Sequence, residues 1–98
     1  MPATEFAGTT HTSLFSFAAT LDLANHTAVA SVDTDVTSAL VKAGDVVVAV
    51  PPAALEAGIA VQGCHTVTAG AFKLRTTNAS AGAINPASAS WTFVVLRH

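Results

Sequence analysis

The chain has 98 residues, with four Lys plus Arg, six Asp plus Glu and a formal net charge of −2, whereas about a quarter of the residues of an average soluble domain are charged. So few cations leave no basic face to neutralise nucleic-acid phosphates, and the low charge is the reverse of a disordered chain's balance. Ala accounts for 21 of the apolar residues and Val for 12, beside 13 Thr; the apolar residues other than Ala are enough for one core and too few for two.

Residues 1–12, rich in Thr, Ala and Gly, read as a flexible N-terminal arm ahead of a single domain over 13–98. No basic segment followed by an apolar run opens the chain, so no signal peptide is expected and synthesis is expected in a cytoplasm. From Leu14 the pattern alternates as in a half-buried strand. Phe15, Phe17, Ala19, Leu21 and Leu23 fall on one face, and Ser16, Thr20 and Asp22 on the other. Asn25-His26 reads as a turn. A second strand then puts Ala28, Ala30, Val32, Thr34 and Val36 opposite Ser31, Asp33 and Asp35, and the two runs are expected to pair as a hairpin.

Lys42-Ala43-Gly44-Asp45 turns into Val46-Val47-Val48-Ala49-Val50, apolar on both faces as a covered central strand should be. Pro51-Pro52 ends that strand, because proline donates nothing to the ladder, and Ala53 to Glu56 is read as one helical turn. The run from Val46 to Leu55, the longest apolar one, is far short of the roughly twenty residues that span a bilayer. Ile59 to Thr68 reads as a strand with a bulge at Gly63, and Ala69-Gly70 as a tight turn. Phe72, Leu74 and Thr76 then alternate with Lys73, Arg75 and Thr77. Asn78 to Pro86 is too long for a tight hairpin. In the last strand Trp91, Phe93 and Val95 face away from Thr92, Val94 and Leu96, which predicts a strand that is central or wedged against a neighbour. Short strands at this spacing predict an all-β fold, a small antiparallel β-sandwich (jelly-roll or Ig-like) of about six to eight strands.

Little in the chain bears chemistry. Cys64, the single cysteine, excludes an intrachain disulfide and a Cys-rich zinc site. With no neighbouring Lys or Arg to lower its pKa it reads as a small, buried or half-buried hydrophobe. His11, His26, His65 and His98 are scattered without metal-ligand spacing and read as surface histidines. Cys64 and His65 are adjacent, so they point to opposite strand faces and make no nucleophilic pair. Asp33 and Asp35 share a strand face, with Asp22 the one further carboxylate within reach, but calcium wants six to eight oxygens. A solvated strand face that guards a sheet edge is the favoured reading. Asn25-His26-Thr27 and Asn78-Ala79-Ser80 match the glycosylation sequon, which means little without a signal peptide. No enzyme activity, metal or cofactor is expected.

The series Gly44-Asp45-Val46-Val47-Val48, Pro51-Pro52-Ala53-Ala54-Leu55 and Ala57-Gly58 resembles a family of small virion proteins of tailed bacteriophages and cyanophages. The likeness continues through Ile59-Ala60-Val61, then Phe72-Lys73-Leu74-Arg75-Thr76-Thr77-Asn78. It closes with Ala81 to Ser88 and Trp91 to Arg97, covering roughly the last fifty-five residues. The first forty match only by strand pattern, and His65 stands where such sequences often carry a basic residue. The resemblance implies a structural protein on the capsid exterior: a decoration or cement protein that binds the major capsid protein and assembles as a homotrimer. It brings no catalytic residue and no membrane or nucleic-acid partner. Lys73, Arg75, Asn78, Asn85 and Arg97 are the candidate partner contacts, the cations by pairing with acidic groups on a partner and the asparagines from the long loop. The alternative is a head- or tail-fibre module that binds a host glycan, for which Trp91 is the one strong stacking platform, though it reads rather as core.

Overall fold

The computed structural model describes residues 4–6, 9–11 and 13–97, with side chains from Ser13 onward. Two short strands, β1 (Thr4–Phe6) and β2 (Thr9–His11), pair antiparallel. The arm expected over residues 1–12 otherwise lies outside the described residues. Six longer strands follow: β3 (Ser13–Leu21), β4 (Ser31–Thr37), β5 (Val46–Val50), β6 (Ile59–Thr68), β7 (Ala71–Asn78) and β8 (Ala89–Arg97). They form two antiparallel three-stranded sheets, in the orders β3-β8-β5 and β4-β7-β6. No helix occurs among the described residues.

Period-two alternation puts one face of every strand inward. Trp91, Phe93 and Val95 of β8 meet Phe72 and Leu74 of β7 in a single core that also takes in Leu21, Val36 and Val47. Phe93 bridges the sheets, its ring centroid 5.4 Å from Phe17 and 5.1 Å from Phe72, the latter pair edge to face. Each such side chain, fully buried, contributes about 1.5–3 kcal/mol. The central place of β8 and β7 follows from the same pattern: both carry large apolar residues at consecutive inward positions.

Three expectations fail, each for a tertiary reason. The runs around Phe17 and Val32 do not pair as a hairpin, because β3 pairs with β8 and β4 with β7. The segment between them crosses from one sheet to the other, so their apolar faces look at each other across the core. Second, β5 is an edge strand and not a covered central one: Val47 is buried, while Val46, Val48 and Val50 are 44%, 48% and 45% exposed. Third, Ala53 to Glu56 makes a turn closed by Leu55 N–H donating to the Pro52 carbonyl, not a helical turn.

The bulge expected at Gly63 is present as a register shift between Val61 and Gly63, with Gly63 at φ 138°. That backbone is open to glycine and rarely to other residues. A second shift, between His65 and Thr68, holds Thr66 at φ 52°. The Ala69-Gly70 turn closes β6 onto β7, the one hairpin connection among the six longer strands.

Candidate functional site

The two sheets present unlike outer faces. On β4-β7-β6 the outward positions carry charge in cross-strand rows. Asp33 lies opposite Arg75, and Asp35 opposite Lys73, which in turn faces His65. Arg75 grips Asp33 with two bonds, Nε to Oδ1 at 2.8 Å and a terminal guanidinium nitrogen to Oδ2 at 3.1 Å. Lys73 Nζ donates to Asp35 Oδ1 at 2.6 Å. The Arg75 guanidinium and then His65 hold the Asp33 carboxyl down at about 2, and Asp35 in turn raises the Lys73 ammonium above its ordinary value. His65 Nε2 lies 3.2 Å from Asp33 Oδ1, an ion pair when the ring is protonated, although it falls outside hydrogen-bond geometry.

Lys73 and Arg75 do share the outer face as expected, but their partners are Asp35 and Asp33 of the same chain. A bidentate guanidinium–carboxylate pair already satisfies the charge that an acidic partner would have to meet. The same pairing occupies both aspartates that were candidates for calcium. Asp22 follows β3 in the other sheet and does not oppose β4. Among the described residues no group of three or more His, Cys, Asp or Glu is placed to hold a metal ion.

On β3-β8-β5 the outward positions are uncharged throughout. The register sets Leu14, Leu96 and Val46 in one row; Ser16, Val94 and Val48 in the next; and Ala18, Thr92 and Val50 in a third. Leu14 is 61% exposed, and Val94 and Leu96 are half-buried by their neighbours. Six of these nine positions are Leu or Val, gathered toward β5. β5 is hydrogen-bonded to β8 on one side only, leaving its other row of backbone N–H and C=O groups without a strand. An open cleft separates this edge from β6, walled by Val47, Val48, Val61 and Cys64. The half-buried Cys64 thiol there is pushed up to about 11 by desolvation, which keeps it protonated and unreactive.

Two polar clusters brace opposite ends of the sheets. At one end His26, expected on the surface, is wholly buried. Its Nδ1 donates to the Ala24 carbonyl at 2.7 Å, its Nε2 lies 2.6 Å from Thr76 Oγ1, and its backbone exchanges two bonds with Ile84. The carbonyl of Ala24 can only accept, so Nδ1 carries a proton. Asn78 is also wholly buried, so this candidate contact cannot reach a partner. Its amide nitrogen donates to the carbonyls of His26, Thr27 and Gly82, and its carbonyl oxygen accepts from Ser80. Gly58 completes this end at φ +95°, where an added Cβ would meet Ile84 Cδ1 at 3.0 Å. The sequon serine is thereby consumed in an internal loop clasp.

At the other end Arg97 reaches back to Asp45 with two bonds of 3.0 and 2.7 Å, donates to the Leu40 carbonyl at 2.7 Å and lies over the Phe15 ring at 5.0 Å. Asp45 also accepts from Lys42 N–H, and its carboxyl is held below the usual range, chiefly by Arg97. Of the candidate contacts, Asn85 is the one exposed in the loop as expected. Trp91 is 1% exposed and offers no platform for a sugar. The side chains of His11 and His98 lie outside the described residues.

Val29 had no signal in the sequence. It is 76% exposed and sits at φ 57°, a left-handed backbone that a β-branched residue rarely adopts. Among the described residues no helix is long and apolar enough to cross a membrane. Compared with protein-family models, curated proteins and solved structures, the chain matches none.

Proposed function

We propose that this chain is a non-catalytic structural subunit, a capsid decoration or cement protein that seats on the outer surface of a major capsid protein shell and stabilises it. The observation that carries the reading is the uncharged Leu/Val/Thr outer face of β3-β8-β5. A lone small domain gains solubility by covering such a face with Lys and Glu. A subunit that is packed against others gains from leaving it neutral, because no charge is then desolvated on contact.

The resemblance to phage virion proteins supplies the shell as partner and the virion exterior as location; the homotrimer that it also implies is replaced below by a two-fold pair. The fold proposed with it is a β-sandwich of jelly-roll or Ig-like type. The passage of the chain from sheet to sheet at β3–β4, β4–β5, β5–β6 and β7–β8 favours it. Asn85, in the exposed loop before β8, is the loop contact retained from the sequence. The glycan-binding alternative loses its main support with the burial of Trp91.

The test is co-sedimentation of the folded protein with undecorated capsids of the virus proposed to encode it, followed by a cryo-electron map of the decorated particle. Saturable binding with density on the outer shell is expected. Folded protein that stays in the supernatant at every concentration overturns the decoration role.

A further inference from the structure

The face that makes the chain a packing subunit ends in an edge whose chemistry is symmetric. Exposed apolar edge strands are templates for another strand, and most proteins blunt them with charge, bulges or covering segments. Three of the four edges here can be compared on that basis. β4 carries Asp33 and Asp35 on its outer positions, and β6 is interrupted by two register shifts. β5 has no charged residue, no bulge and no proline until Pro51.

We propose that β5 is a self-association edge, at which two copies of this chain pair antiparallel about a two-fold axis through Val48. In such an isologous contact residue i meets j and j meets i. With the axis at Val48, Val46 lies against Val50, Val47 against Ala49, and Val48 against itself. The outward valines, all near half exposed, thus form an unbroken cross-strand stripe, and the two three-stranded sheets become one continuous sheet. The unsatisfied backbone groups of each edge find partners at the same time. No charge is buried by this contact, which is the complementarity that an uncharged strand can offer only to another uncharged strand.

β3, the other edge of the same sheet, does not offer this. Antiparallel self-pairing about Phe17 would set Leu14 against Thr20 and Ser16 against Ala18, with no apolar stripe. The two-fold count also departs from the homotrimer that the virion resemblance implies, and the pairing needs no capsid. Five residues a side bury less than a standard interface of about 1,600 Å², so the pair is concentration-dependent.

Sedimentation velocity on the full chain, from low to high micromolar, reads the result. The mass is expected to rise from 9.8 kDa to twice that value. Val48→Lys and Val48→Glu, each placing like charges opposite each other, should weaken association by at least about tenfold. An equimolar mixture of the two should restore the pair, because residue 48 faces its own copy only in a two-fold contact. Ser16→Lys, on the same outer face but the far edge, should leave the pair intact.

Four outcomes overturn the proposal: a monomer at all concentrations, a trimer, no rescue on mixing, or a pair broken by Ser16→Lys. The last would signal stacked faces or β3–β5 pairing. Circular dichroism checks that the variants fold. If residue 48 does not tolerate charge, Val46→Lys mixed with Val50→Glu poses the same question one register position away. A monomer that still decorates capsids removes this pairing and leaves the proposed function standing. A pair that ignores capsids does the reverse.

Discussion

The outer face of β4-β7-β6 and that of β3-β8-β5 are built from equally regular alternation, yet one carries four ionised side chains and the other none. The charged face is internally settled: Asp33 with Arg75 and Asp35 with Lys73 cancel within the sheet. Its polarity keeps water on it and guards the β4 edge. The apolar face is settled by nothing within the described chain. Charges that already have partners within the chain offer little to another molecule, so the proposed interaction surface is the face from which charge has been withheld.

Perturbing the core between the faces should produce the largest effect and leave the contrast untouched. Asn78→Ala removes a donor and acceptor that serve three segments and leaves buried carbonyls unpaired, a loss of about 2–3 kcal/mol. Chemical denaturation should register it as a lower midpoint, while both outer faces keep their properties. Asp45→Ala is expected to cost about 2 kcal/mol, because it removes the acceptor of two Arg97 bonds and of the Lys42 N–H. Neither loss belongs to an outer face, and equal loss from Val48→Lys would break the comparison.

On the apolar face the expected change is in association and not in stability. Val48→Lys should melt near the parent temperature, since its site is half exposed, while losing self-association. Added salt should leave the parent's association intact or strengthen it, as for apolar contacts. A steep loss of association with salt would mean that charges hold the copies together.

The charged face should answer to acid. Asp33 has its folded pKa lowered from 3.8 to about 2. A depressed carboxylate contributes stability that is fully present above its unfolded value and disappears as pH falls through the folded one. Stability should therefore decline between pH 4 and pH 2, and Asp33→Asn should show a flatter decline in thermal melts across that window. The smallest effect is expected for Lys73→Ala. Asp35 is 77% exposed, and exposed pairs of this kind contribute little, so no measurable change in melting temperature should follow.

Much of this was legible in the chain. The inward set Phe15, Phe17, Leu21, Phe72, Leu74, Trp91, Phe93 and Val95 follows from period-two alternation, and the central place of β8 from its two apolar faces. The bulge at Gly63 and the tight turn at Ala69-Gly70 follow from glycine's backbone freedom. The charged rows were half legible. Spacing put Lys73 beside Arg75 and Asp33 beside Asp35, but the register of β4 on β7 was needed to show that the two pairs neutralise each other.

His26 and Asn78 were missed because polar residues at turn-like positions normally face water. They are buried because the segments before β4, before β6 and after β7 converge at one end of the sheets, and their backbone groups need partners there. The signal available was weak: two polar residues capable of several hydrogen bonds each, with Gly58 between them in sequence.

By itself the sequence determined the all-antiparallel strand set, which side of β3, β4 and β7 turns inward, and the scarcity of charge, because these depend on local period and composition. Only the tertiary structure decided which strands pair, that β5 lies at an edge, and that Asp33, Asp35, Lys73 and Arg75 pair on one face. Val46 to Val50 shows why. An apolar run reports that both its faces shun water, and it carries no information about whether the cover comes from its own chain or from another.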